Sequence, residues 1–355
     1  MEKKVLVKLE NVSKSFGSVE VIKNISLDIY EGEFLTLLGP SGCGKTTILR
    51  MISGLDDVTT GKVYIDDKDM TNVDATKREV NTIFQNLALF PKMTTKENIS
   101  FGLKMKKVDK AEIDKRVDEV IKLVKLQGFE DRYPSELSGG QQQRVAIARS
   151  IIMNPKVLLL DESLCSLDLK LKKDMQIELK RLQKKLGITF IYVTHAQDEA
   201  LSMSDRIAII NNGAIEQLDT PSNIYKYPKT LFVADFIGEA NIINAKVLEV
   251  GDNEIKVSML QDHVVDIKAD SIFEKNQELK LVIRPENVRI SKNELANGIK
   301  GSINDITYSG DSTKLLVNIP GSIDIKVCIN DDNKYVYNDE VYVKFDSNYI
   351  IPLRK

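Results

Sequence analysis

The sequence predicts an α/β domain built on a parallel sheet, followed by a small all-β domain. Three observations carry that reading. An apolar run at residues 34–38 leads into a glycine-rich turn and then a helical stretch. Two further apolar runs, 157–160 and 188–193, end in polar residues. Beyond Phe236 the pattern changes to short alternating segments separated by Gly, Asn and Asp. A strand buried on both faces of a parallel sheet reads as continuous apolar sequence, whereas a strand with one wet face alternates. At 355 residues there is room for two domains, which we place at 1–237 and 238–355.

Composition removes several classes. Hydrophobic residues are 42% and charged residues 29%, with a net charge of −2, which reads as a soluble globular body. There is no basic surplus of the kind a nucleic-acid binder carries, so no nucleic-acid partner is expected. No apolar run approaches the roughly 18–20 residues that span a bilayer. The start, MEKKVLVKLENV, reads as a charged tip leading into a strand rather than a secretory signal. Cys43, Cys165 and Cys328 lack both a disulfide framework and metal-ligand spacing, which fits a reducing cytosol.

The turn after residues 34–38 is GPSGCGKTT. It meets the pattern G-x-x-x-x-G-K-[ST] through Gly39, Gly44, Lys45 and Thr46, between a strand and a helix as that pattern requires. Gly39, Pro40, Ser41, Gly42, Cys43, Gly44, Lys45, Thr46 and Thr47 are therefore the expected ATP contacts. The glycines let backbone N–H groups turn inward, forming a nest for the α- and β-phosphates at a helix N-terminus. Lys45 is expected to reach the β/γ-phosphates and the Thr46 hydroxyl to bind Mg²⁺. Cys43 sits among those donors near Lys45, surroundings that favour a thiolate.

Residues 87–155 read as a helical insert between sheet strands. Asp109 with Glu112 three residues on predicts a capped helix start. Ile113, Val117, Val120, Ile121 and Val124 form its apolar stripe. Within the insert lies LSGGQ, residues Leu137, Ser138, Gly139, Gly140 and Gln141, followed by a helix with apolar Val145, Ile147, Ala148 and Ile151. Ser138, Gly139 and Gly140 thus occupy a helix N-terminus, where free N–H groups and the dipole favour an anion.

The run 157–160 ends in Asp161 and Glu162. Asp161 is placed for a second Mg²⁺ contact through the metal's water shell, and Glu162, one residue further out, can take a proton from an attacking water. Residues 170–186 read as a charged amphipathic helix. The run 188–193 ends in Thr194 and His195, and the strand's C-terminal end is where ligands bind in a doubly wound sheet. His195 is the expected γ-phosphate sensor. His263, among alternating residues of the second domain, reads as a surface residue.

With these blocks in this order, the chain resembles the nucleotide-binding subunits of ATP-binding-cassette (ABC) transporters, a P-loop NTPase fold with a helical subdomain. The resemblance implies that LSGGQ faces the γ-phosphate held by another subunit, so two ATPs lie in a head-to-tail dimer with a second copy of the chain. It implies that Ser166, Leu167 and Asp168 form the D-loop at that seam and that Phe16 stacks on adenine. Gln85 corresponds to the Q-loop glutamine, contacting Mg²⁺ and the attacking water and opening a segment, with Leu89, Phe90 and Met93, that meets two transmembrane permease subunits. The expected place is then peripheral, on the cytoplasmic face of the cell membrane.

Residues 84–103 resemble the importer Q-loop segment. The C-terminal alternating segments, 242–250, 254–260, 279–290, 314–319 and 340–345, resemble the appended OB-like (TOBE-type) β-domain of importers for maltose, ferric iron and polyamines. Residues 167–195, 232–245 and 282–290 are most similar to the ATPase subunits of polyamine importers, which work with a solute-binding protein. Ser163, Cys165 and Ala196 depart from the family pattern, where Pro, a small Gly or Ser, and Asp are usual. They leave every phosphate and metal ligand in place but bear on the turn after Glu162 and on the orientation of His195. An importer for sugar or ferric iron is the alternative. A soluble repair-type ATPase would carry a long coiled coil, and a translation-type one a second P-loop; neither is present in these residues.

Overall fold

The continuous apolar runs become the middle of a parallel sheet. The computed structural model describes residues 3–165, 167–260, 263–269, 273–321, 323–330 and 335–354. The chain divides into two compact units, one up to Ile224 and one from Tyr225.

In chain order, the first unit contains β1 (Val5–Phe16), β2 (Val19–Tyr30), β3 (Phe34–Leu38), α1 (Lys45–Ser53), β4 (Thr60–Ile65), β5 (Lys68–Asp69) and β6 (Val80–Ile83). It continues with α2 (Thr95–Met105), α3 (Lys110–Leu123), α4 (Gly139–Ile151), β7 (Val157–Asp161), α5 (Leu169–Leu186), β8 (Thr189–Thr194), α6 (Gln197–Met203), β9 (Arg206–Asn211) and β10 (Ala214–Asp219). One sheet has the order β2-β1-β4-β5 and is antiparallel; the other runs β10-β9-β3-β8-β7-β6. In the second sheet only the β9–β10 pair is antiparallel.

Alternation hidden inside the apolar runs feeds two cores. Leu158 and Leu160 of β7, with Phe190 and Tyr192 of β8, pack against the helices on one face. Leu159, Ile191 and Val193 pack on the other face with α1 and the antiparallel sheet. A run that is apolar on both faces is what such a double burial requires.

The helical region begins later than residue 87. Thr94 caps α2 with a full capping box through Glu97. At α3 the expected box does not form. Asp109 accepts from the Ala111 N–H, while Glu112 pairs with Arg116 one turn on, a partner that outcompetes the cap for its carboxylate. Ile113, Val117, Ile121 and Val124 are buried as the stripe predicts, and Val120 packs partly buried beside them.

The second unit opens with the helix Leu231–Phe236. Arg284 donates to the carbonyls of Tyr225, Ala234 and Glu239, which anchors this segment to the β-unit and moves the division about a dozen residues ahead of 237/238. Its strands are β11 (Asn241–Val250), β12 (Glu254–Met259), β13 (His263–Lys268), β14 (Glu278–Ile283) and β15 (Val288–Ser291). β16 (Ile299–Tyr308), β17 (Thr313–Asn318), β18 (Asp324–Ile329), β19 (Glu340–Phe345) and β20 (Ile351–Arg354) follow. Two antiparallel five-stranded sheets, β13-β12-β11-β14-β20 and β15-β19-β16-β17-β18, share one core. The stretch 279–290 is two strands in different sheets, because Pro285 and a short 3₁₀ turn break it. His263 is half-buried rather than on the surface, and burial lowers its pKa.

Candidate functional site

Parallel pairing gathers the polar strand ends at one edge. Leu38 is in register with Thr194, and Asp161 with Val193. The glycine-rich turn, the two carboxylates and His195 therefore leave the sheet at the same level.

Gly44 precedes α1 with φ of 103°, and a Cβ there would meet Ile22 Cδ1 at 2.4 Å, so only glycine is accommodated. The first turn of α1 receives no side-chain cap. Its N–H groups are thus presented to whatever the loop encloses. Lys45 is buried, and Nζ donates to the carbonyls of Gly39 (2.9 Å) and Pro40 (2.8 Å). Nζ also lies 3.8 Å from Cys43 Sγ, a weak acceptor.

Thr46 Oγ1 donates to Asp161 Oδ1 at 3.0 Å. A hydroxyl and a carboxylate side by side form an oxygen-only pair of the kind a hard divalent cation takes. The Asp161 carboxyl lies above its ordinary range, first through burial and then through Glu162, with the Thr46 bond and Lys45 opposing. A cation between these oxygens would favour the ionised form.

Glu162 has φ of 43°, a left-handed conformation costing a non-glycine residue about 1–3 kcal/mol. Its N–H donates to the Val193 carbonyl at 3.0 Å, which holds the turn against the neighbouring strand. The strained backbone projects the carboxylate into a cluster: Oε1 lies 3.3 Å from His195 Nδ1, and Oε2 accepts from Gln85 Nε2 at 3.4 Å. An ionised carboxylate only accepts, so the proton sits on Nδ1 and Nε2 is left for another partner. Gln85 Nε2 also reaches Cys165 Sγ at 3.5 Å. The arrangement places a proton acceptor, an imidazole and an amide together beside a phosphate-type cradle.

The signature region is built differently. Ser138 caps α4: its Oγ accepts from Gln141 N–H, and Gln141 Oε1 accepts from Ser138 N–H. Gly140 is fixed by packing, since a Cβ would meet Leu171 Cδ2 at 2.9 Å. Leu137 is buried while Ser138 and Gly139 are exposed. Asp168 caps α5 by accepting from Leu171 N–H at 3.0 Å, and Leu167 packs on the helical core. Ser166 lies outside the described residues. Phe16 is 50% exposed at the end of β1, with Lys14 Nζ 4.9 Å from the ring centroid.

Cys43 departs from the expected thiolate. It is 7% exposed within the core beneath the loop, and burial pushes the thiol up against the opposing pull of Lys45. Cys165 is the exposed cysteine of the site. In the segment after Gln85, Leu89 packs on the helical core and the Phe90 ring lies tilted against Phe101, with centroids 4.5 Å apart, so part of that apolar surface is internal.

Sequence reasoning missed the residues that hold these loops. Arg149 donates to the carbonyls of Leu87 and Ala88, both at positive φ, and Asn98 binds Phe90, Met93 and Thr94. Their targets are backbone atoms, which leave no sequence signature. Thr194 and Glu199 flank the His195 turn and bond to each other. A carboxylate in the first turn of α6 was the available signal for that pair.

Residues 22–164 match the ABC transporter family and residues 281–351 the TOBE domain. The chain is 50% identical over 313 residues to the spermidine/putrescine import ATP-binding protein of Aggregatibacter actinomycetemcomitans, covering 87% of this chain and 84% of that one. The protein of the same name in Aliivibrio fischeri (strain ATCC 700601 / ES114) is 51% identical, with 87% and 84% covered. Among solved structures, an ATP-binding cassette in a dimeric post-hydrolysis state bound to ADP and Pi is 37% identical, with a TM-score of 0.55 over 61% of this chain and 99% of that one. A subunit of a Clostridium perfringens ABC transporter complex is 30% identical, with a TM-score of 0.59 over 63% of this chain and 91% of that one.

Proposed function

The chain belongs to the ATP-binding subunits of ABC importers, and from that premise we propose that it hydrolyses ATP at the edge of its parallel sheet to power polyamine uptake. The observation that carries the reading is the convergence of Lys45, the Thr46–Asp161 pair and the Glu162–His195–Gln85 cluster at one sheet edge. The polyamine assignment rests on the relatives at about 50% identity.

Roles follow from the chemistry of each group. The backbone N–H groups from Gly42 to Thr47 and the Lys45 ammonium bind the α-, β- and γ-phosphates, with Phe16 under the adenine. Thr46 and Asp161, with Gln85, are the residues that would hold Mg²⁺, which supplies charge neutralisation on the phosphates when bound. Water oxygen bonds to the γ-phosphorus, the bond to the β–γ bridging oxygen breaks, and Glu162 accepts the water's proton. A positioned base contributes about 10²–10⁴-fold. His195, paired to Glu162 through Nδ1, keeps Nε2 for the γ-phosphate.

Leu137, Ser138, Gly139, Gly140 and Gln141 serve the nucleotide on a second copy of the chain, with Leu167 and Asp168 at the same two-fold seam. Two permease subunits take the segment after Gln85, and a solute-binding protein delivers cargo to them. No helix among the described residues is long and apolar enough to cross a membrane, so attachment runs through those subunits, on the cytoplasmic face.

Reconstitution of the chain with its permeases in vesicles tests this. Labelled spermidine should accumulate only with ATP on the chain's side and a binding protein on the other. ATP-driven uptake of a sugar or ferric iron with no polyamine uptake would sink the substrate assignment.

A further inference from the structure

Glu199 is 2% exposed, on the first turn of α6, and its carboxylate has partners from two other elements. Oε1 pairs with Lys172 Nζ of α5 at 2.7 Å, and Oε2 accepts from the hydroxyls of Tyr192 and Thr194, both on β8. Burying a carboxylate is costly unless such partners satisfy it, and a hydrophobic replacement of a buried ion pair is often at least as stable. Stability alone is therefore a weak reason for the group. Its partners share a different property: β8 ends directly before His195, and α5 begins directly after Asp168.

We propose that Glu199 is a positioning residue for hydrolysis, fixing the turn that carries His195 and tying it to the helix that follows the D-loop. Thr194 Oγ1 accepts the Ala196 N–H at 3.0 Å, so its own proton goes to Glu199. The residues immediately before and after His195 are thus both held through one carboxylate. The hold matters in this chain because Ala196 occupies the N-cap of α6 and offers no side-chain cap, where Ser, Thr, Asp or Asn normally supplies one. On the other side, Lys172 N–H donates to the Asp168 carbonyl at 2.8 Å, and Asp168 caps α5. A shift of α5 would reach His195, and so Glu162, through Glu199.

The inference rests on the ATPase reading, but its test has a readout independent of it. The chain contains only two histidines, so the ring resonances of His195 and His263 are separable by NMR, and His263, in the other unit, is the internal control. Glu199→Gln should shift the His195 resonances and leave those of His263 in place. Turnover should fall about tenfold or more, with MgATP affinity changed by no more than about twofold, as expected when a reacting group is misplaced rather than removed. Adding Ala196→Asp, which supplies the missing cap, should return part of the lost turnover. Unmoved His195 resonances, no recovery with Ala196→Asp, or nucleotide affinity falling in step with turnover would overturn the proposal. If Glu199→Gln does not fold, Thr194→Val, which leaves the Lys172–Glu199 pair intact, decides on the same resonances. A wild-type chain that fails to hydrolyse ATP would sink the proposed function and leave the NMR test standing.

Discussion

Two helix N-termini in this chain are glycine-rich and suited to anions, yet they are built to opposite plans. At α1 no side chain caps the first turn, and Lys45, Asp161, Glu162 and His195 surround the loop or the strand ends beside it. At α4 the Ser138–Gln141 box occupies two N–H groups. A capped terminus is stable on its own, while an uncapped one is stabilised by the ligand it binds. The difference teaches that α4 satisfies its own first turn while α1 leaves its first turn open, which fits the proposed division of labour in which α1 holds the chain's own phosphates and α4 serves a nucleotide on a second copy.

The largest effect should come from the α1 side. Glu162→Gln should lower turnover by at least ~10²-fold while ATP binding persists and an ATP-bound dimer accumulates in size-exclusion chromatography. Near-normal turnover would remove the distinction in chemistry between the two termini. Next, Lys45→Ala should weaken nucleotide binding by the isolated chain, measured by calorimetry, whereas Ser138→Arg should preserve it and block dimerisation. Comparable affinity losses in both would erase the contrast.

A smaller effect concerns cap against ligand. Ser138→Ala should destabilise the protein by about 1 kcal/mol in denaturant melts, the worth of an N-cap. Asp161 should behave in the opposite sense. Its folded pKa is raised, so the folded state holds the proton more tightly, and the carboxylate costs stability as pH rises from the ordinary Asp range through the raised value. Asp161→Asn should thus gain melting temperature relative to wild type at pH 7 but not at pH 3, while losing hydrolysis. An equal difference at both pH values would count against this. Last, alkylation should label Cys165 before the buried Cys43, and Cys43→Ser should be inactivated as fast as wild type; protection by that substitution would restore a reactive thiol to the loop.

The sequence by itself determined the parallel sheet, the glycine-rich turn and the carboxylate pair. The apolar runs at β3, β7 and β8 are continuous because both faces of each strand are buried, and each polar group follows directly on its strand. That information is local, and so it is legible. It also determined the β character of the second unit through alternation, though not the breaks between its strands at Pro285. Only the tertiary structure decided what reaches across elements. The capping choice of Glu112 went to Arg116, the Cys43 thiol turned into the core, and Arg149 found the carbonyls of Leu87 and Ala88. The hold of Glu199 on the His195 turn belongs to the same class. In each case the deciding partner is chosen by side-chain competition, burial or a backbone atom, and none of these is written in the spacing of residues along the chain.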